Sequence, residues 1–405
     1  MMNPIKVNSE IGRLKVVLLH EPGEELHNLT PEKLDDLLFD DIPWLPLAKK
    51  EHQAFAKVLK DNGVEVLYLT DLVTEALYND GIKTLFIKEF LKDAGIVSQT
   101  LGEILFEYLY SLKTKDMVLK CISGIRKTDL KSYKKKTLTD FVIDVPFITN
   151  PIPNLYFTRD PFVLINGGVS INRMYSETRK RETIFGDFIF RYHPRFKYVN
   201  KYYSRNERFA IEGGDILIIN KETVIVGVSE RTTPQAIERL AKNLFYENET
   251  HFKHVLAFSI PKKRTFMHLD TVFTQVDYDK FTIHHGCYNE LVIYELTKAE
   301  TYGKLSVRKL EGKLEDILEN YMGKKITLIP CGGDDDIDSD REQWSDGSNC
   351  LCIAPGVVIT YERNDITNKT LEDNGIKVIK IPSSELSRGR GGPRCMSMPV
   401  YREEE

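Results

Sequence analysis

Apolar residues along this chain fall into short solid or alternating runs separated by polar turns, and the runs recur in one order. Residues 215–261, DILIINKETVIVGVSERTTPQAIERLAKNLFYENETHFKHVLAFSIP, predict strand, turn, strand, helix and strand: two apolar runs, then Leu240 and Leu244 on one helical face, then HVLAFSI. Residues 349–382, NCLCIAPGVVITYERNDITNKTLEDNGIKVIKIP, repeat that order, and both copies carry Glu-Arg between the second strand and the helix. Looser copies are FVLINGGVSINRMYSETRKRETIFGDF, TVFTQVDYDKFTIHHG with its downstream helix KLEDILENYM, and the N-terminal LKVVLLHEPG with KKEHQAFAKVLKDNG and VEVLYLTD. About five ββαβ units result, and such a repeat predicts stacking or, at this number, closure into a ring with a site on its axis.

One stretch departs from this pattern. Leu101, Ile104, Leu105, Tyr108 and Leu112 form one helical stripe, and Val118, Cys121, Ile122 and Ile125 form another. The expected organisation is α/β: a discontinuous catalytic ring of residues 1–70 and 146–405, with an α-helical insert at 71–145. The charged runs SYKKKTLTD and YREEE read as solvated surface.

At 405 residues the chain can bury a large core, and a formal net charge of −4 argues against nucleic acid or a membrane surface as partner. The first twenty residues contain only the short apolar run VVLL, so the expectation is a soluble, cytoplasmic protein. Six scattered cysteines suggest reduced thiols rather than a disulfide framework. No metal site is expected: CLC and HHGC lack a C-x-x-C spacing and read as strands, while GGDDDIDSD lacks the terminal glutamate of a calcium loop and reads as a polar loop.

Polar clusters interrupt the apolar runs where modules begin. FTRDPF sets Asp160 before Pro161; FAIEGGDILII sets Glu212 and Asp215 around two glycines; FMHLDTVF puts His268 and Asp270 two apart, on one face if the segment is a strand. GRGGPRCMSMP places Cys395 in a glycine-rich, cationic loop, where neighbouring positive charge would favour the thiolate. Several carboxylates beside a thiol suit a planar cation. A guanidinium pairs bidentately with carboxylates, and its central carbon is then open to sulfur attack.

FDDIPWL, PNLYFTRDPF, EGGD, MHLDTVFT, SDGSNCL and GRGGPRCMSMP occur in this order, and on them the chain resembles the arginine deiminases of the guanidino-group-modifying superfamily along essentially its whole length. The resemblance implies a five-fold pseudosymmetric α/β-propeller with an extra helical domain, and hydrolysis of L-arginine to L-citrulline and ammonia without metal or organic cofactor. It further implies Cys395 as nucleophile, His268 as general acid and base, Asp160 and Asp270 as guanidinium ligands, and Glu212 as the acid that orients the histidine. Substrate-binding positions carried over are Asn154, Phe157, Arg179, Asp215, Arg231 and Arg390, the three arginines serving the substrate carboxylate. A homo-oligomer, dimer or larger, is the expected assembly. An amidinotransferase and a hydrolase of agmatine or methylated arginine share the thiol, imidazole and carboxylate set; a catalytically dead ring binding a partner is the non-enzymatic alternative.

Overall fold

In the computed structural model the described residues are 3–130, 146–248, 250–263 and 265–404. The run SYKKKTLTD and the end of the expected insert lie outside them. Five sheets repeat one pairing: two antiparallel strands, the second of which takes a parallel third strand. In the second module Phe162–Ile165 runs antiparallel to Gly168–Ile171, which pairs parallel with Asn200–Tyr203. The third uses Ile216–Ile218, Thr223–Val228 and His254–Ser259. The fourth uses Phe273–Gln275, Lys280–Ile283 and Thr327–Pro330, and the fifth Leu351–Ala354, Val357–Tyr361 and Lys377–Ile381. The first is assembled from both ends of the chain: Met398–Arg402 runs antiparallel to Leu14–Leu19, which pairs parallel with Glu65–Tyr68.

Each parallel crossover contains a helix, because parallel strands cannot be joined by a tight turn. These helices are Leu45–Asp61, Thr183–Tyr192, Pro234–Lys242, Leu314–Met322 and Asp365–Asp373. Pro234 starts its helix at a position where the missing N–H is not needed, and the Thr233 side chain accepts from the Ala236 N–H. Along Leu45–Asp61 the buried Ala48, Phe55, Ala56 and Leu59 face the sheet. From the same helix the buried Glu51 carboxylate accepts backbone N–H groups of Glu385 and Leu386, at 3.0 Å each from Oε2, and so fixes the chain ahead of the Cys395 loop. The repeat pattern did not reveal a second hairpin, Val292–Lys298 with Leu305–Leu310, which pairs onto His254–Ser259 and widens the third sheet.

Helices Leu69–Ala76, Asp80–Asp93, Gln99–Ser111 and Thr114–Ser123 follow the first module. Both expected stripes bury: Leu105, Val118, Cys121, Ile122 and Ile125 are fully enclosed, while Leu101, Ile104, Tyr108 and Leu112 pack at the margin. These helices share one apolar core with the second module, where Phe86 lies edge-on to Phe188 with ring centroids 5.1 Å apart. Burying a Phe of this kind contributes about 1.5–3 kcal/mol. Among the described residues no helix is long and apolar enough to cross a membrane. Two local readings change. GGDDDIDSD is not wholly a loop, since Asp335 caps the helix Asp336–Trp344 through its side chain, and HHGC enters a short helix, His285–Tyr288.

Candidate active site

The residues just ahead of each module's first strand carry the polar clusters. Asp160 precedes Phe162–Ile165, Glu212 and Asp215 precede Ile216–Ile218, His268 and Asp270 precede Phe273–Gln275, Asp346 and Asn349 precede Leu351–Ala354, and Cys395 precedes Met398–Arg402. Short turns, rather than strands, hold them. His268 and Asp270 sit at the start and middle of a 3₁₀ turn, Leu269–Thr271, so the expected strand geometry is replaced by a tighter one that aims the two side chains at different partners.

His268 and Glu212 form a buried pair, Nε2 to Oε2 at 2.8 Å, and the other Glu212 oxygen accepts the Tyr175 N–H at 2.9 Å. His268 Nδ1 lies 3.9 Å from Asp160. Burial opposes charge on the ring, but Asp160, the Glu212 hydrogen bond and Asp215 outweigh it and raise the His268 pKa to about 9. Glu212 moves the other way: burial again opposes its charge, and the His268 hydrogen bond, Arg231 and Arg179 bring it down to about 2. At neutral pH the pair is imidazolium and carboxylate. Gly214 makes room for this ring, because a Cβ there would stand 2.7 Å from the His268 imidazole.

Asp160 accepts the Gly214 N–H on one oxygen and the Arg179 guanidinium on the other, at 3.2 and 2.8 Å. Arg179 is also clasped by Glu182 at 2.8 Å. Asp215 is turned away from solvent, accepting the Ser229 hydroxyl at 2.7 Å and the Leu269 N–H at 2.8 Å, with burial pushing its pKa up to about 6. Asp270 is fully buried, accepts Arg394 Nη1 at 2.7 Å and lies 3.5 Å from Cys395 Sγ. Its second oxygen has no hydrogen-bond partner among the described residues. Arg394 is held from behind by Glu10, at 3.1 and 3.2 Å, and by the Ile216 carbonyl at 2.8 Å. Glu10, Arg394 and the adjacent Arg159 escaped the sequence reading; no local pattern links Glu10 to a residue at the far end of the chain.

Cys395 departs from its expected setting. It is 4 % exposed rather than on an open loop, its N–H is fixed by Asn349 Oδ1 at 2.9 Å, and its carbonyl accepts the Arg159 N–H at 3.1 Å. Burial, then Asp270, Asp160 and Asp346, raise its thiol pKa well above the ordinary value, and Arg394 offsets only part of this. Arg394 is spent on Asp270 and Glu10 and Arg390 on Asp40, so the balance around the thiol favours its protonated form.

The remaining expected residues divide between a cavity and the packed core, where Asn154 and Phe157 are buried. Arg231 and Arg390 border a cavity of about 280 Å³ together with Asp35, Leu38, Phe39, Asp40, Glu230 and Met267. Arg231 lies 3.7 Å from Glu212; Arg390 stacks 3.3 Å over Trp344 and meets Asp40 at 3.3 Å. Phe157 packs against Tyr156 with centroids 4.0 Å apart, and Asn154 donates to the Leu37 carbonyl at 2.7 Å. Asp160, Glu212 and His268 present donor atoms within 4.8 Å of one another, a spacing a metal ion could use. The donor chemistry fits it poorly, since His268 Nε2 is committed to Glu212, Asp160 accepts Arg179, and an imidazole that holds its proton up to about pH 9 would have to release it to become a ligand.

A protonated imidazole, a thiol and two carboxylates around one small space suit attack of sulfur on a cationic carbon followed by proton delivery to a leaving nitrogen. Residues 35–402 match the family model described as arginine deiminase. The chain is 54 % identical over 407 residues to the arginine deiminase of Clostridium perfringens (strain SM101 / Type A), covering 99 % of this chain and 98 % of the relative. It is 51 % identical over 408 residues to that of Treponema denticola, covering 100 % of both. Among solved structures, the amidinotransferase SxtG of saxitoxin biosynthesis from Microseira wollei matches 99 % of this chain and 98 % of its own at a TM-score of 0.56 and 14 % identity, a likeness of mixed α/β fold. With a family match over most of its length and relatives more than half identical from end to end, the chain belongs to the arginine deiminase family.

Proposed function

We propose that this protein hydrolyses L-arginine to L-citrulline and ammonia through a covalent intermediate on Cys395. The observation that carries the reading is the approach of Cys395 Sγ to within 3.5 Å of Asp270, with Asp160, which also acts on the thiol, beside the His268–Glu212 pair. Asp160 and Asp270 each hold one fixed guanidinium, from Arg179 and Arg394, and Asp270 keeps one oxygen without a hydrogen-bond partner among the described residues; the guanidinium of arginine adds a further positive charge there. Its arrival between Asp160 and Asp270 offsets the charges that hold the thiol protonated, so substrate itself promotes loss of the Cys395 proton to solvent, where it later accompanies the released ammonia as ammonium.

The thiolate then attacks the central guanidinium carbon. His268 gives its proton to the departing amino group, the C–N bond breaks, ammonia leaves, and an S-alkylthiouronium remains on Cys395. Neutral His268 next takes a proton from water, and the hydroxide adds to the same carbon. Collapse breaks the C–S bond, and the proton of the new hydroxyl passes to the departing sulfur as the citrulline carbonyl forms, which restores the thiol beside protonated His268. Arg231 and Arg390, which border the cavity of about 280 Å³, are the cations best placed for the substrate carboxylate, Arg390 leaving Asp40 to meet it; Arg179, buried between Asp160 and Glu182, and Asn154, on the Leu37 carbonyl, support that end.

The five like sheets, closed by the strand from residues 398–402, support a five-fold propeller with the site near its axis. The helices between Leu69 and Ser123, within the expected 71–145 insert, are an insertion on that ring. No metal or organic cofactor enters the steps, and a cytoplasmic homo-oligomer is the expected working form.

The test is incubation of the purified chain with L-arginine, assayed for citrulline and ammonia in equal amounts, beside agmatine alone and arginine plus glycine. Transfer to glycine, or a preference for agmatine, would overturn the reading. A further expected result concerns Gly214: Gly214→Ala pushes the His268 ring from its seat and should lower kcat by about 10²-fold, as misplacements near 1 Å do. A kcat within threefold of the parent in steady-state assays would show that the ring has slack.

A further inference from the structure

Asp346 has no part in the steps above, yet it is built into the site. It lies at the end of helix Asp336–Trp344 with φ +62, in the left-handed region that few residues other than glycine adopt. Among the described residues only Leu38, Asn166 and Arg390 share that feature outside glycine, and Leu38 and Arg390 border one cavity. Backbone strain of this kind is kept where surrounding structure enforces it, commonly at functional sites.

Two sets of contacts tie Asp346 to the nucleophile. Through its backbone, the Asp346 carbonyl accepts the Asn349 N–H at 3.0 Å, and the Asn349 side chain spans the Cys395 N–H at 2.9 Å and the Asp270 carbonyl at 3.1 Å. Through its side chain, Asp346 offers a buried carboxylate whose Oδ2 has no hydrogen-bond partner among the described residues. The Arg390 Nε is likewise buried and unsatisfied. Burial and Asp270 push the Asp346 carboxyl up to about 7, and Arg390 and Arg363 are the cations that oppose this. A buried acceptor, Asp346 Oδ2, and a buried donor, Arg390 Nε, have no hydrogen-bond partner among the described residues and attract one another, the donor standing five residues before Cys395.

We propose that Asp346 is a positioning residue for arginine turnover, orienting Asn349 and thereby Cys395 through its backbone, and drawing the Arg390 guanidinium toward the pocket through its carboxylate. Arg390 thus has two seats: the outer one on Trp344 and Asp40, and an inner one governed by Asp346, from which it faces the substrate carboxylate. The proposal rests on the arginine-hydrolysing reading.

Asp346→Asn separates the two roles, because Asn tolerates the left-handed backbone and keeps the volume while losing the charge. Steady-state citrulline formation should show KM for arginine raised about tenfold with kcat changed less than about threefold, a coupling in the range of contacting charged residues. In an Arg390→Lys background the same substitution should add less than about twofold, since the partner it acts on is already altered. Unchanged KM, an effect confined to kcat, or full multiplication of the two single effects would overturn the proposal. Should Asp346→Asn fail to fold, Asp346→Glu gives the comparison: with charge kept, KM should stay within about threefold of the parent, and a rise beyond about tenfold would overturn the charge role. Parent protein that releases no citrulline would instead refute the arginine reading.

Discussion

Cys395→Ser should lower kcat for citrulline release by about 10⁴-fold or more while the fold and arginine binding survive, because removal of a nucleophile forfeits the covalent route and leaves only positioning and electrostatics. Serine keeps the Asn349 contact to the backbone N–H, so the loop has no reason to move. Its hydroxyl, however, is far less acidic than a thiol, and in a pocket that already drives the Cys395 pKa well above the ordinary thiol value, a bound guanidinium cannot bring it within reach of neutral pH. Acid quench of the parent during turnover should trap a protein adduct of the mass of the amidino-bearing substrate less ammonia, on the tryptic peptide carrying Cys395. The variant should yield none. Retention of more than about a hundredth of parental kcat would mean that sulfur is not the attacking atom.

Glu212→Gln should be the next largest loss, about 10²-fold or more in kcat/KM at pH 7, with a changed pH profile as its signature. Glu212 is among the groups that raise His268 to about 9, and burial alone would lower it. With the carboxylate neutralised, the alkaline limb set by His268 should move down by at least about one pH unit. The stability signs can be worked out for each partner. His268 rises from 6.5 to about 9, so its contribution is full below pH 6.5 and is lost as pH climbs through about 9. Glu212 falls from 4.5 to about 2, so its contribution is present above pH 4.5 and is lost as pH drops toward 2. The parent pair stabilises most between those limits, about pH 4.5–6.5. Breaking it leaves a buried imidazole and two nearby guanidinium groups short of an anion, which costs about 3–5 kcal/mol. Thermal melts across pH 4–10 check this: a variant with a parental melting profile and an unmoved alkaline limb would remove Glu212 from control of the histidine.

The sequence made the modular plan readable because each module writes the same apolar code, two strands, a helix and a strand, and because turn residues such as Pro161 and the Gly213–Gly214 pair mark where modules begin. It also made Asp160, Glu212, His268, Asp270 and Cys395 readable as a set, since each interrupts apolar sequence at an equivalent place. What it concealed depends on contacts between modules. The thiol environment was misread because Arg390 and Arg394 are neighbours of Cys395 in sequence, yet in space Arg394 serves Asp270 and Glu10, while Arg390 lies on Trp344. Asp346 was hidden in a plain turn, SDGS, whose importance comes from burial and a left-handed backbone. The hairpin Val292–Lys298 with Leu305–Leu310 was missed because Leu305–Leu310 buries no residue fully and the pair joins a sheet whose other strands come earlier in the chain.

The pairing of Leu14–Leu19 with Met398–Arg402 carries a last consequence. Leu14 stands opposite Arg402, and Lys6 bridges to Tyr401, so the segments at 6–19 and 398–402 are neighbours on one sheet. A short linker can therefore join them, and the circuit can be reopened at an exposed turn such as that around Gly303 without disturbing any catalytic cluster. In such a circular permutant Cys395 would lie mid-chain, and its chemistry would owe nothing to being close to a terminus.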